Sequence, residues 1–421
     1  MLEPQSTLLF ILLIAAFAAL MCWMVMTRRA VVRVLAAVVA FLVAFWVGVL
    51  GVNKYFDYYP TWGAAVADLT GPGPAVAQIS DSSLLSGKGG KAVVSMPVDV
   101  TLAMREGYTV QVLLKGAQSH INRDGYIYLP PQYFQPAYKS YKFPVIELIH
   151  GQPGAPQDWI NVAGVTATLD TLVDKGLAKP VVLVMPDANG GERVSLQCLN
   201  VPNGPQDMTY LATDVPNDVA SLLSGHVQPP GDAWGIAGYS EGGYCAANMA
   251  LHNYNTYGYA GVMSGYFAPM NDVLADGRVV NPFPTSAARL ANTPTAEVRA
   301  LGSGAGVPLF WVGAGTGDRQ DIVNAENFVQ VLGLHQAAPP FDESLGGHTM
   351  AAWRAEIPPM LIWMTTGQTQ AALMPHHHPV AVTKQPCARP SSTSLLASHG
   401  KKHRKHPAAG TSCAPKPTHK P

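Results

Sequence analysis

Gly238-Tyr239-Ser240-Glu241-Gly242-Gly243 follows the apolar run WGIAG and opens the helical pattern EGGYCAANMALH. A serine hydroxyl is a poor nucleophile until a base takes its proton. A G-x-S-x-G at a strand-to-helix turn is where such a serine is held strained, with its Oγ exposed above a sheet. The glycines suit a tight turn and a helix packed close to its strand. The five-residue pattern alone is weak; the strand before it and the helix after it make it specific. The chemistry implied is covalent acyl transfer through Ser240.

A serine at such a turn is followed in the chain by its acid and then its histidine. Downstream, beyond His252 on the same helix, the body of the chain offers His335 and His348. His348 sits in GGHTM, a loop between a strand-like stretch and a helix, where an imidazole can reach Oγ. His335 ends an amphipathic helix and suits its C-terminal cap, so His348 is the expected base. VPLFWVGAGTGDRQD offers Asp318 at a glycine-rich strand end and Asp321 just beyond. Asp321 reads as the N-cap of IVNAENFVQVL. Asp318 is therefore expected to orient His348 and stabilise its imidazolium. The oxyanion needs backbone N–H donors. Glu241, directly after the serine, is one. Gln152, in His150-Gly151-Gln152-Pro153-Gly154, is the other, since Pro153 has no N–H.

These residues need a sheet to place them. VVSMPVDV and YTVQVLLKG suggest an antiparallel start, followed by GYIYLP, PVIELIH, VVLVMP, WGIAGYS, YAGVMSGYF and VPLFWVGAG. Several are continuous apolar runs, as expected of strands buried on both faces. Helical stretches lie between them, over 166–176, 214–225, 241–252, 321–335 and 349–363. Alternating strands and helices predict an α/β fold with a doubly wound, mostly parallel sheet over 92–366. Ligands of such sheets sit at the C-terminal strand ends.

The whole chain has 421 residues and no net charge, with 27 Lys and Arg against 27 Asp and Glu. Only 13% is charged and 48% is hydrophobic, against ~25% charged in ordinary soluble domains. This excludes a coiled coil, a disordered polyelectrolyte and a basic nucleic-acid binder. The zero is an average: no acid follows Glu356, and eight Lys and Arg lie from Lys384 onward. Residues 8–26 and 34–53 are uncharged runs of 19 and 20 residues, close to the ~20 that a helix needs to cross ~30 Å of hydrocarbon. Arg28, Arg29 and Arg33 between them should stay cytoplasmic, leaving everything after residue 54 outside. Tyr55, Phe56, Tyr58, Tyr59 and Trp62 then form an interfacial belt. A cleaved signal peptide would start basic, whereas the charge before the first run is Glu3. The expected organisation is two transmembrane helices over 1–54, a tether over 55–91, a catalytic domain over 92–366 and a basic disordered tail over 367–421. The tail's seven histidines have no ligand spacing, so no metal and no cofactor is expected. Its charge suits an anionic cell-wall polymer.

The residues also resemble a family. The 92–366 segment is similar to the esterase family of α/β-hydrolases that includes esterase D and the feruloyl esterases, and within it to the antigen 85 mycolyltransferases and their actinobacterial relatives. The matching pieces are H-G-x-x-G at 150–154, MPDANG at 185–190, TYLATDVPNDV at 209–219, GYSEGG at 238–243 and GGHTMAAWRAEI at 346–357. The resemblance implies an α/β-hydrolase fold, the triad Ser240, Asp318 and His348, and oxyanion donors at Gln152 and Glu241. His150, Gly151, Asp187, Tyr239 and Trp353 are expected to line the substrate site. The chain departs from the family at Glu241, often Met there, and at His150, where the antigen 85 enzymes have Asp. Cys198 and Cys245 are a disulfide pair in the resemblance, with two buried thiols as the alternative.

The function expected is a membrane-anchored, extracytoplasmic serine esterase acting on a small-molecule or lipid ester. One alternative is an acyltransferase that passes the acyl group to a sugar hydroxyl. A second is a non-catalytic binding protein of the same fold.

Overall fold

In the computed structural model, residues 2–70, 76–79, 100–191, 196–273, 279–280, 283, 285–301, 306–335 and 339–371 are described. The chain opens with helices α1 (Thr7–Met26) and α2 (Ala30–Phe56), both long and apolar enough to cross a membrane. Leu8, Ile11 and Trp23 of α1 and Phe41 and Phe45 of α2 are more than half exposed. The two helices pack on each other. Ala36, Ala40 and Leu50 of α2 are buried, and Gly51 faces the Phe10 ring. A polar stitch closes the open end of the pair. Gln5 Nε2 donates to Asn53 O (3.1 Å), Tyr59 N–H donates to Asn53 Oδ1 (2.7 Å), and Lys54 Nζ donates to Gln5 O (3.0 Å). α2 stops where Asp57 turns left-handed, at φ 50 and ψ 41.

The segment expected to be a tether carries structure: α3 (Trp62–Thr70) and β1 (Val76–Ile79). VVSMPVDV lies outside the described residues except for Val100, which begins α4 (Val100–Glu106) rather than ending a strand. The domain continues with β2 (Tyr108–Lys115), β3 (Asn122–Leu129), β4 (Val145–Ile149), α5 (Val165–Asp174), β5 (Val182–Pro186), α6 (Val215–Leu222), β6 (Gly231–Tyr239), α7 (Glu241–His252), β7 (Tyr257–Met263), β8 (Leu309–Gly315), α8 (Arg319–Leu332), β9 (Phe341–Ser344) and α9 (Met350–Ala371). These strands form a sheet of order β1-β2-β3-β5-β4-β6-β7-β8-β9. β3 runs antiparallel to β2 and β5, and the other pairs are parallel. The tail beyond residue 371 lies outside the described residues.

Every residue of β4 and β5 is buried, because helices cover both faces of the sheet. Val145, Ile149, Ile236 and Val262 pack with Val219, Ala246 and Phe328 of α6, α7 and α8 on one face. Ile146, Leu148, Ala237 and Met263 pack with Leu169, Ile357 and Met360 of α5 and α9 on the other. This is the doubly wound, mostly parallel α/β-hydrolase architecture, preceded by two apolar helices. Tyr58 and Tyr59 join the second layer. Arg354 of α9 latches this region to the end of α2, donating to Asp57 O (2.9 Å), Tyr58 O (3.2 Å) and Val162 O (3.2 Å).

Candidate active site

Ser240 stands between β6 and α7 at φ 56, ψ −123, a conformation that strains a non-glycine residue by ~1–3 kcal/mol. The turn around it exists because two neighbours lack a Cβ. One on Gly238 would lie 2.1 Å from Gly242 O, and one on Gly242 2.1 Å from Ile149 O. The bend leaves Oγ above the C-terminal ends of the strands.

Ser240 Oγ–H donates to His348 Nε2 (2.8 Å), and His348 Nδ1–H donates to Asp318 Oδ2 (2.6 Å). Asp318 follows β8 and His348 follows β9, so neighbouring strand ends supply both. Asp318 itself occupies the N-cap position of α8, yet its side chain makes no capping bond and turns to His348. Asp321, expected as the cap, lies in the first helical turn with Oδ2 3.1 Å from the same His348 Nδ1. Burial alone would pull the His348 imidazole down, but Asp321 and Asp318 outweigh it and hold the ring above the usual histidine range. Burial, and then the Asp321 charge, push the Asp318 carboxyl up against the pull of His348. Ligand atoms of Asp318, Asp321 and His348 lie within 4.8 Å of one another. With Nδ1–H on the carboxylates and Nε2 accepting from Ser240, the ring has no lone pair left for a cation.

Glu241 N–H opens α7 beside Ser240, where the helix N-terminus favours a developing anion. Gln152 borders the same space. Its Oε1 accepts from Asn189 Nδ2 (2.7 Å), a support that lies inside MPDANG and was not singled out in the sequence. Both ring nitrogens of His150 face backbone atoms. The residue is 1% exposed; Nδ1–H donates to Gly151 O (2.8 Å), and Nε2 accepts from Ala188 N–H (3.1 Å). It braces the Gln152 loop against the end of β5. Asp187 also turns to backbone, accepting from Asn189 N–H (3.0 Å) and Gly190 N–H (2.7 Å). Gly151, Tyr239 and Trp353 border the cavity that opens on Ser240. Trp353 stacks on Tyr239 (4.6 Å) and meets the His348 ring edge to face (5.0 Å).

A cavity of about 790 Å³ opens on Ser240 and His348, walled by Pro153, Tyr239, Met350 and Trp353 on one side and by α2 on the other. A smaller pocket of about 170 Å³ shares Ser240 and Gln152 with it and is edged by Gln197, Glu241 and Asn271. Cys198 and Cys245 are joined by a disulfide, which ties the loop before residue 200 to α7.

Residues 119–364 match the Esterase family. An uncharacterised protein of Corynebacterium glutamicum is 24% identical over 330 residues, 74% of this chain and 71% of its own length. The structure of a ferulic acid esterase is similar with a TM-score of 0.52 at 21% identity, over 62% of this chain and 99% of its own. That of Mycobacterium tuberculosis MPT51 has a TM-score of 0.45 at 17% identity, over 60% and 97%. At 21% identity the likeness to the ferulic acid esterase speaks for the fold alone. The family match covers more than half of the sequence and takes in Ser240, His348 and both of its carboxylate partners; the chain belongs to the Esterase family.

Proposed function

We propose that the chain is a membrane-held serine esterase, with its catalytic domain outside the cytoplasm, that cleaves carboxylic esters through an acyl-enzyme on Ser240. The observation that carries this reading is the unbroken line from Ser240 Oγ through His348 to Asp318, at 2.8 and 2.6 Å. His348 Nε2 takes the Oγ proton as Oγ bonds to the ester carbonyl carbon. The N–H groups of Gln152 and Glu241 receive the charge that develops on the carbonyl oxygen. The bond to the alcohol oxygen then breaks, and Nε2 returns the proton to the departing alkoxide. Water, deprotonated by the same nitrogen, releases the acid and restores Ser240.

Transfer to a sugar hydroxyl instead of water has one observation in its favour. The small pocket beside Ser240 is edged by amides and a carboxylate from Gln152, Gln197, Asn271 and Glu241, groups suited to a polyol. Adding glucose or trehalose to the reaction separates the two, since transfer yields an acyl sugar in place of free acid.

The membrane reading is supported by apolar side chains exposed around α1 and α2, which in water would forgo ~25 cal/mol per Å² of burial. Arg28, Arg29 and Arg33 orient the pair with its turn in the cytoplasm, and that orientation makes the positive charge of the C-terminal sequence available to anionic polymer on the outer side. The test of the catalytic reading is fluorophosphonate labelling of the full chain in membranes. Label on wild type and none on Ser240→Ala is expected. An unlabelled wild type, or equal label on both, overturns the esterase.

A further inference from the structure

The cavity over Ser240 has a wall that the catalytic domain does not supply. Ala44, Phe45, Gly48, Val49, Val52 and Phe56 of α2 face it, a stripe at the i, i+3, i+4 spacing of one helix face. The opposite side of α2 is spent on α1, through its buried Ala36, Ala40 and Leu50 and through Gly51 against Phe10. Among the described residues, the cavity lining contains no Asp, Glu, Lys or Arg. Its volume of about 790 Å³ falls in the ~300–1,000 Å³ range of small-molecule sites. At Gly48 the wall is recessed, since a Cβ there would meet nothing within 4 Å. Arg354 and the Gln5–Asn53–Lys54 stitch hold the helix end where it is. With residues 34–53 as the span, Ala44 lies near the middle of a ~30 Å hydrocarbon layer and Asn53 at its surface. The wall from Ala44 to Phe56 then runs ~18 Å, from the interface into the hydrocarbon.

We infer that α2 is part of the acyl-binding site, and that the substrate is a long-chain acyl ester resident in the membrane, reached sideways from the lipid phase. Its chain lies along the recess at Gly48 while its carbonyl carbon meets Ser240 Oγ. The inference rests on the serine esterase reading. The covalent step is the same: the Oγ–carbon bond forms, the bond to the alcohol oxygen breaks, and the alcohol leaves with the proton from His348 Nε2. The acyl chain stays along α2 until deacylation. A chain already in hydrocarbon crosses no water on this route. For an ester arriving from water, each methylene that enters the cavity improves binding about fourfold.

The test uses the full chain in phosphatidylcholine vesicles, with p-nitrophenyl palmitate and p-nitrophenyl acetate as probes. Gly48→Leu fills the recess without a backbone clash, and the palmitate-to-acetate ratio of kcat/KM is expected to fall at least about tenfold. Val38→Leu, outside the cavity, leaves the ratio at the wild-type value. An unchanged ratio in Gly48→Leu overturns the inference. Should Gly48→Leu lose acetate turnover through misfolding, Ala44→Phe is read the same way, with the same outcome overturning. Acetate turnover missing from wild type, or surviving in Ser240→Ala, overturns the esterase reading itself. A second arm supplies dipalmitoylglycerol in the enzyme's own vesicles or in separate ones. Faster cleavage of the shared-bilayer lipid is expected, and equal rates overturn sideways delivery.

Discussion

Asp321 Oδ2 stands 3.1 Å from His348 Nδ1, the nitrogen that Asp318 already holds at 2.6 Å. One imidazole therefore faces two carboxylates, and both favour its charged form. A base must be neutral to accept the Ser240 proton. Turnover is accordingly lost as pH falls through a His348 pKa that lies above the ordinary histidine value. Asp321→Asn removes one of the two charges and shifts the acidic limb of kcat/KM to lower pH, with kcat at pH 8 within about tenfold of wild type. Asp318→Asn loses the tautomer-fixing partner and costs on the order of 10³–10⁴ in kcat. A pH–rate profile with p-nitrophenyl acetate checks both, and an unmoved limb in Asp321→Asn removes the second carboxylate from the account.

Arg354 holds the carbonyls of Asp57, Tyr58 and Val162. Arg354→Met keeps the stem and drops all three bonds, at a cost of about 2 kcal/mol or more. At ~2–4 °C per kcal/mol for a domain of this size, Tm in detergent falls by roughly 4–8 °C. Limited proteolysis should then cut faster just beyond α2. Unchanged cutting means that the latch is not what holds α2 to the domain.

Glu147 is fully buried in β4 with Tyr257 OH donating to Oε2 (2.8 Å), and burial pushes its carboxyl up to about 8. Glu356 behaves alike, also near 8, with Ser344 Oγ donating to it (2.7 Å). Between the unfolded value of ~4.3 and about 8, the folded chain holds more protons than the unfolded one. These groups therefore make stability fall as pH rises through that window. Glu147→Gln removes one of them. Its Tm relative to wild type should climb from pH 5 to pH 9, as differential scanning calorimetry at the two ends reads directly.

The Cys198–Cys245 bridge spans a sequence separation of 47. Replacing both cysteines by alanine should cost about 2–4 kcal/mol. Thermal inactivation then moves to lower temperature while turnover at 25 °C persists, because neither cysteine is among the described residues that line the two pockets at Ser240. Equal melting of reduced and oxidised protein would count against the bridge.

What was readable in advance was local. The Gly238–Gly242 turn, the loop that carries His348 and the strand end that carries Asp318 each lie within a few residues of their own signals, and the buried parallel strands announce themselves as apolar runs. Asp321 reads as a cap because an aspartate opening a helix looks like one; its approach to His348 depends on which way the first turn of α8 faces. The role of His150 is not legible in the sequence, because a polar ring in a motif loop gives no sign that its partners are backbone atoms, those of Gly151 and Ala188. The structured pieces at Trp62–Thr70 and Val76–Ile79 sit in a composition that reads as linker. The wall that α2 lends to the site joins residues nearly two hundred positions apart, and no local pattern encodes such a pairing.

A hydrophobic anchor is ordinarily interchangeable, because any ~20 apolar residues will hold a domain at a bilayer. α2 is not a part of that kind. With Ala36, Ala40 and Leu50 buried and Gly48 and Val52 bordering the cavity that opens on Ser240, its sequence answers to two neighbours at once. A transplanted span of equal length and greasiness would keep the address and lose the fit.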